Sequence, residues 1–469
     1  MSFPAAFTWG AASSAYQIEG AWNQDGRGPS IWDTYCHAVP TEGGPGYNPL
    51  KPNVYQGHTG DVACDHYNRY KEDVGIMKSI GLKAYRFSIA WTRVMPDGTG
   101  PVNAKGLDFY DRLVNELLAS GITPYATLFH WDYPEALYRR GGWLNRESVK
   151  WFSDYTQAVA DRLGDRVKNW MTLNEPQVFL QFGHADAHNA PGLRLATREL
   201  LVACHHALMS HGAAVQVLRA RCKGVQSIGF APVCVTKYPA TDSAQDQKAA
   251  IDTMGSVTER NIWNNTWYAD AIVKGHYPED GVKLFGADSP TPQPGDMELI
   301  SQKIDFIGVN IYEGTPMRMG ASGKPEAAER APTHPTTAFR WPVEPKSLHW
   351  GPRFTYERYK LPVYITENGM SGIDWVSMDG KVHDPQRIDF TRRYLLELRN
   401  AIRAGSDIRG YFHWSILDNF EWSQGYKERF GLVHVDYTTQ KRTPKDSAHW
   451  YSKVIASNGA HLDQEPFPA

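Results

Sequence analysis

The sequence predicts an α/β protein, a single (β/α)8 barrel with long loops at the carboxyl ends of its strands, taking residues 1–469 as one domain. Three observations carry that expectation. Short, nearly continuous apolar runs alternate with segments of helical periodicity, the pattern of parallel strands covered on both faces. Two of those runs end in a glutamate, Thr172-Leu173-Asn174-Glu175-Pro176 and Ile365-Thr366-Glu367-Asn368-Gly369. A carboxylate at the mouth of a buried strand is costly to desolvate, and a ring of parallel strands is what brings two such distant strand ends to one place. The competing architecture, an open doubly wound sheet, lacks its usual marks: the first strand is not followed by G-x-G-x-x-G, and no G-x-x-x-x-G-K-[ST] loop occurs.

Taken in order, residues 7–12 form the first strand and 13–20 its polar loop, and 41–52, with its Gly and Pro, reads as an irregular excursion. Tyr70, Val74, Met77 and Ile80 at helical spacing mark a helix over 67–80 stopped by Gly81, and 84–91 is the second strand. Leu107, Tyr110, Leu113, Val114, Leu117 and Leu118 make the apolar stripe of the next helix, ended by Gly121, with the third strand at 124–130. A helix over 148–163 leads to the fourth strand, 167–173, and to Glu175; a helix over 200–220 leads to the fifth, 227–233. The sixth strand is 304–310, the seventh runs from 362 into Glu367, and a helix over 386–404 precedes the eighth, 410–415. The intervals 234–301 and 313–360 exceed simple connections and read as long functional loops.

Composition narrows the partners. With 42% hydrophobic residues, a net charge of −2 and no long basic run, the chain can bury a large core but is a poor match for nucleic acid or anionic membrane. No apolar stretch approaches the ~20 residues of a membrane helix. Cys36, Cys64, Cys204, Cys222 and Cys234 form no C-x-x-C pair, and Met1 to Phe7 has neither a basic n-region nor an apolar h-region, so the expectation is a reduced, cytoplasmic protein. Trp and Tyr, 16 and 24 of them, recur just after the strands, where their faces suit sugar rings as well as ordinary core packing.

In a barrel the strand mouths carry Gln17, Arg86, His130 with Trp131, Asn174 with Glu175, Asn310 with Tyr312, Glu367 and Trp414, followed by the loop Asp418-Asn419-Phe420-Glu421-Trp422. Multivalent polar side chains alternating with indoles suit a neutral, polyhydroxylated small molecule better than a phosphate or a hydride carrier. His205, His206 and His211 look like a metal cluster but sit on a predicted helix without a matching carboxylate motif, so neither metal nor other cofactor is expected. Asn264-Asn265-Thr266 matches a glycosylation acceptor and reads as a loop; Asp61 and Asp73 read as helix-end or surface charges.

The strings Ala15-Tyr16-Gln17-Ile18-Glu19-Gly20, Tyr85-Arg86-Phe87-Ser88, Phe129-His130-Trp131-Asp132, Thr172-Leu173-Asn174-Glu175-Pro176, Ile365-Thr366-Glu367-Asn368-Gly369 and Ser415-Ile416-Leu417-Asp418-Asn419-Phe420-Glu421-Trp422 stand in the type and order of one family's signatures. From Phe7 to Tyr437 the chain resembles the glycoside hydrolase family 1 β-glycosidases. The resemblance implies a retaining exo-β-glycosidase, a β-glucosidase that also accepts β-galactosides or β-fucosides, working without a cofactor. It implies that Glu175 is the general acid/base and Glu367 the nucleophile, roughly 5–5.5 Å apart, and that Arg86 and Tyr312 keep Glu367 ionised. By the same resemblance Gln17, His130, Asn174 and Glu421 grip hydroxyls, Trp414 is a stacking floor, and Trp131, Asn310, Tyr312 and Trp422 complete the substrate site. The Glu421 carboxylate is expected to repel a 6-phosphate.

Two departures from the family pattern, Gln177 after Glu175-Pro176 and Ile311 with Glu313 around Tyr312, imply altered packing on the leaving-group side. The alternative from another class is a catalytically silent sugar-binding relative, against which both glutamates are present. The chemistry is consistent with the assignment: one carboxyl must be ionised to attack while its neighbour keeps a proton to donate, and mutual repulsion in a dry site separates the two.

Overall fold

The protein is described by a computed structural model covering residues 2–38, 53–225 and 227–464; the excursion expected at 41–52 lies outside the described residues. Eight strands, β1 (Thr8–Ala12), β2 (Ala84–Ser88), β3 (Thr123–Phe129), β4 (Asn169–Asn174), β5 (Ser227–Ala231), β6 (Phe306–Asn310), β7 (Val363–Asn368) and β8 (Ile408–Trp414), form a closed parallel barrel in sequence order. Closure rests on β1 and β8, paired from Thr8 opposite Gly410 to Ala12 opposite Trp414. That pairing decides against the open sheet. At Gly10 a Cβ would stand 2.5 Å from the Phe412 ring, so only glycine lets these strands close over that ring.

Every strand contributes to an apolar cluster in which small and large side chains interleave, Ala12, Ala84 and Ala231 among Tyr125, Met171, Phe306, Tyr364, Phe412 and Trp414. The barrel is therefore a filled core that floors the mouth above it. The surrounding helices follow their apolar stripes: Ala104–Ala119 buries Leu107, Tyr110, Leu113, Val114 and Leu117, and Ser148–Leu163 has the bounds the sequence predicts. His66–Ile80 ends at Gly81, whose φ of 83° is the left-handed cap that stops the helix.

Several expectations are corrected. Trp91 is not the end of β2 but the start of a short helix, Trp91–Val94, its ring stacked 5.0 Å from Tyr155; a short apolar run does not distinguish a strand from a buried helical turn. Within the loop after β1, Ala15–Ile18 is a buried helical turn. The two long intervals are structured. The first holds helices Ala244–Met254, Thr266–Lys274, Glu279–Phe285 and Asp296–Ile300, and the second holds Ser347–Tyr359. Strand Lys237–Pro239 of the first pairs with Thr315–Met319 of the second, which pairs in turn with Pro325–Ala327. These strands are too short to show a period, and their partners are remote in sequence. The chain beyond β8 adds a hairpin, Val433–Val435 with Arg442–Pro444, and the helix Asp446–Ala456, whose Tyr451 hydroxyl donates to the Gly10 carbonyl at 2.9 Å.

Asp73 is not a surface charge: it is fully buried, 2.7 Å from His66 Nδ1 and 2.9 Å from Arg442 Nε, so it ties an early helix to the final hairpin. Asp61 does stay half-buried, 3.0 Å from His37. Asn264 is buried and its Oδ1 accepts from Trp267 N at 2.9 Å, so the acceptor motif opens a helix and is no exposed loop. His205, His206 and His211 have separate partners, Asp296, the Trp143 carbonyl and Thr172. No group of three metal-binding side chains is placed together among the described residues. All five cysteines are buried and free. Among the described residues no helix is long and apolar enough to cross a membrane.

Candidate active site

The two glutamates stand at interruptions of the barrel ladder. Between β4 and β5 the register shifts between Met171 and Asn174, and between β6 and β7 it shifts between Ile365 and Glu367. Such irregularities re-aim side chains at a barrel rim. After Asn174 the chain turns through Glu175 at a φ of 46°, in the left-handed region, and Pro176 then starts the short helix Pro176–Leu180. A non-glycine residue held there stores about 1–3 kcal/mol of strain, which the packed surroundings must offset.

Arg86, reaching up from β2, organises the floor. Its Nη1 donates to Glu367 Oε1 at 2.6 Å and to the Thr366 carbonyl at 3.0 Å, its Nη2 to Asn174 Oδ1, and its Nε to Thr127 Oγ1 at 3.3 Å. The Tyr312 hydroxyl donates to the other oxygen, Glu367 Oε2, at 2.6 Å. Glu175 is held differently. Its Oε1 accepts from Asn310 Nδ2 at 2.9 Å, and that amide also donates to Asn174 Oδ1 at 3.1 Å. Thr366 Oγ1 fixes the Asn310 amide by donating to its Oδ1 at 2.6 Å.

Asn174 Nδ2 lies 3.0 Å from His130 Nε2, and because the amide can only donate, the imidazole proton belongs on Nδ1. Burial and the nearby Arg86 charge push His130 well below its usual range, so the ring is neutral. It stacks at 5.7 Å on Trp414 and at 6.0 Å on Trp422. Trp131, itself at a φ of 77°, donates through Nε1 to the Asn174 carbonyl at 3.0 Å and lies 4.5 Å from Trp422.

On the far side Gln17 is the hub of the loop after β8. Its Nε2 donates to Asn419 Oδ1 (2.9 Å), the Phe420 carbonyl (2.9 Å) and Glu421 Oε2 (3.1 Å), while Ser14 Oγ donates to its Oε1 at 2.7 Å. The structure thus joins the predicted site residues into two sets, one around Arg86, Asn174 and His130 and one around Gln17, which meet in the chain where Glu421 precedes Trp422.

The carboxyls differ in their surroundings. Burial and the neighbouring Glu367 charge push Glu175 well above the usual carboxylate range, against only the Asn310 hydrogen bond and the more distant Arg86. Burial raises Glu367 as well, but less far than Glu175, because Arg86, Tyr312 and Asn310 each offset part of that rise. The pair therefore holds its proton on Glu175 and its charge on Glu367. Glu421 departs from the sequence reading of a charged acceptor. Burial and the charges of Glu367 and Glu428 push it up to about 8, which at neutral pH favours the protonated form, a group that donates as well as accepts.

Some members of the site carry no sequence signal. Trp341, from the segment before Ser347–Tyr359, packs 5.1 Å from Tyr312 and 6.0 Å from Phe430, extending the aromatic wall beyond Glu367. Ser14, Thr127 and Thr366 orient Gln17, Arg86 and Asn310; Thr366 lies within a quoted motif, and the other two only near one. Gln177 is fully buried and points out of the pocket: its Nε2 donates to the Val233 and Asn264 carbonyls at 3.0 and 3.2 Å.

The comparisons agree with one another. A family model described as Glycosyl hydrolase family 1 matches residues 1–460. The chain is 44% identical over 462 residues to Beta-glucosidase A of Thermotoga maritima, covering 97% of this chain and 98% of that protein. It is 43% identical over 466 residues to Beta-glucosidase A of Acetivibrio thermocellus, covering 98% and 99%. Among solved structures, the Thermotoga maritima beta-glucosidase in complex with glucoimidazole superposes with a TM-score of 0.87 at 44% identity, over 98% of this chain and 99% of that one.

Proposed function

The chain belongs to glycosyl hydrolase family 1, and from that membership we propose that it is a β-glucosidase, a retaining exo-β-glycosidase that releases glucose from β-glucosides and also accepts β-galactosides and β-fucosides. The observation that carries the mechanism is the unequal holding of the two carboxyls: Glu367 has a donor on each oxygen from Arg86 and Tyr312, whereas Glu175 has a single neutral amide.

In this reading Glu367 attacks the anomeric carbon as the bond to the leaving oxygen breaks, and Glu175 gives that oxygen its proton. A glycosyl ester on Glu367 removes one negative charge from beside Glu175. Glu175 then becomes more acidic and takes a proton from the incoming water, whose oxygen displaces Glu367 with a second inversion. Gln17, His130, Asn174 and the protonated Glu421 supply both donors and acceptors to the hydroxyls, Trp414, Trp422 and Trp131 enclose the ring, and Asn310 and Tyr312 line the reacting end. Every group the two steps require is a side chain or water, so the proposal includes no cofactor.

The proposal also takes 1–469 as one catalytic domain acting on a small glycoside in the cytoplasm; the buried, unpaired cysteines support the last point. A silent sugar-binding relative is not favoured, because both carboxyls and the donors around them are in place.

The test is a 4-nitrophenyl β-glucoside assay with the first-formed sugar followed by proton NMR. Turnover with the β-anomer appearing first is expected. An α-anomer appearing first would exclude retention, and binding without turnover across several β-glycosides would restore the silent reading.

A further inference from the structure

The segment that follows β7 carries the densest group of exposed apolar side chains among the described residues. Ile373 is 79% exposed, Trp375 67% and Val376 46%, and Met378 is fully exposed. Other open apolar side chains, such as Val62, Val102 and Val282, lie singly in distant parts of the sequence and call for no explanation. Together the four present roughly 600 Å2 of surface, the upper end for the largest apolar patch of a typical monomer.

The backbone beneath them is braced. Gly372 N donates to the Arg429 carbonyl at 2.8 Å, and Asp374 turns inward, 2.7 Å from Arg387 Nη2 and also bonded to Lys445. Alternate residues of an extended chain share a face, so anchoring Asp374 inward turns Ile373 and Trp375 outward together. Beyond them Ser377 N donates to the Lys381 carbonyl at 2.7 Å and closes the turn that carries Met378. Side chains displayed on a fixed backbone have less freedom to lose when a partner covers them.

Area, charge and shape select a second copy of this chain as that partner. A stable interface buries about 800 Å2 per partner and a homodimer interface is about 65% apolar, so its apolar part is close to what these four side chains offer. The rim carries both signs: exposed Asp379 and Asp446 lie 3.0 and 2.6 Å from His383, and exposed Lys381 stands next to them in the chain. Across a twofold axis the lysine of one copy faces the acids of the other, which makes the rim self-complementary. Two acids on that rim disfavour an anionic membrane, and side chains as open as Met378 form no concave wall for a small ligand.

We propose that residues 372–381 form the centre of a twofold-symmetric homodimer interface, Trp375 and Met378 packing on the same loop of the second copy and Lys381 facing its Asp379 and Asp446. None of these side chains is among those that hold Glu175 or Glu367, so the inference stands apart from the catalytic reading.

Sedimentation velocity on the full-length protein, up to about 50 µM and so well above the micromolar end of interfaces this size, tests it beside Trp375→Glu, Met378→Glu and Lys381→Glu. Thermal melts confirm that the variants are folded. The wild type is expected to sediment as a dimer of the 52.8 kDa chain. Trp375→Glu and Met378→Glu should each weaken the dimer by about thirtyfold or more, the scale of losing a buried anchor. Lys381→Glu should weaken it more at low salt than at high salt. A wild type that is monomeric at about 50 µM, or a dimer of unchanged strength in the folded Trp375→Glu and Met378→Glu variants, overturns the proposal. So does a dimer indifferent to Lys381→Glu at low salt, which excludes the twofold pairing of the rims. Co-sedimentation of a monomeric wild type with phosphatidylserine vesicles would overturn it in favour of a membrane surface.

Discussion

Arg86 and Glu367 form a buried ion pair at 2.6 Å, with side-chain exposures of 1% and 4%, and the same guanidinium holds Asn174, the neighbour of Glu175. One side chain thus both stabilises the charge of the proposed nucleophile and holds the side chain of the residue before the proposed acid. Removing one partner of such a pair costs about 3–5 kcal/mol, because the other charge is left buried and alone. Arg86→Lys keeps a charge but cannot reach Glu367 and Asn174 together. It is expected to lower kcat on 4-nitrophenyl β-glucoside by about 10²–10³-fold, the scale of losing one preorganised donor. A loss smaller than about fivefold would remove Arg86 from the mechanism.

The roles of the two glutamates separate by leaving group. Glu175→Ala keeps the nucleophile, so a dinitrophenyl glucoside should still glycosylate the enzyme with a burst, a poor leaving group should not react, and azide should release the β-glycosyl azide. Glu367→Ala should lose turnover with every leaving group, and azide should yield the α-glycosyl azide by one displacement. Exchanged behaviours would reverse the assignment; the same anomer from both variants would sink the two-step mechanism.

Tyr312 tests the charge separation through pH. Activity in this reading needs Glu367 ionised and Glu175 protonated, so kcat/KM falls on the acid side as Glu367 gains a proton and on the basic side as Glu175 loses one. Tyr312→Phe removes a hydrogen bond to the ionised Glu367, which raises the pKa of that carboxyl. The acid limb is therefore expected to move to higher pH. An unmoved acid limb would show that the hydroxyl does not stabilise the Glu367 charge.

Glu421 is expected to tolerate an isosteric neutral replacement. With its pKa pushed up to about 8, it is protonated at pH 6 and resembles an amide in having a donor and an acceptor. Glu421→Gln should keep glucoside kcat/KM within about threefold at that pH, while Glu421→Ser, which cannot span to the sugar, should lose about 0.5–1.5 kcal/mol for each of the neutral hydrogen bonds it gives up, about 1–3 kcal/mol for a donor and an acceptor together. Equal losses in both variants would mean that Glu421 acts as a carboxylate after all.

A buried charge network fixes the loop that carries Glu421. Lys445, fully buried, contacts Asp418 at 2.7 Å and also bonds Asp374, and Arg429 reaches the second Asp418 oxygen at 2.7 Å. Lys445 and Arg429 hold Asp418 at about 2 despite its burial. That lies below the ordinary ~3.9 of an unfolded chain, so the stabilisation is complete above about pH 4 and decays as pH falls toward 2. Lys445→Met should reduce stability by about 3–5 kcal/mol at neutral pH. Asp418→Asn should flatten the loss of stability between pH 4 and pH 2. Urea midpoints across that range measure both, and an unchanged pH slope in Asp418→Asn would exclude this linkage.

The barrel, its eight strand positions and the residues at its mouth were legible in the sequence, for a definite physical reason. Strands buried on both faces are mostly apolar, so a lone Arg86 in β2, a glutamate just past β4 or one at the penultimate position of β7 stands out against its background. The stripe of Ala104–Ala119 and the left-handed stop at Gly81 are equally local, because period and cap are written within one element.

What tertiary structure decided is everything that depends on a partner remote in the chain. Closure through the Gly10 approach to Phe412, the sheet joining Lys237–Pro239 to Thr315–Met319, the burial of Asp73 against Arg442 and the arrival of Trp341 beside Tyr312 all join segments whose own composition is indifferent to the contact. The protonation of Glu421 belongs with them. Its carboxyl is ordinary in sequence, and only enclosure among Glu367, Glu428 and the pocket walls makes its charge costly enough to surrender.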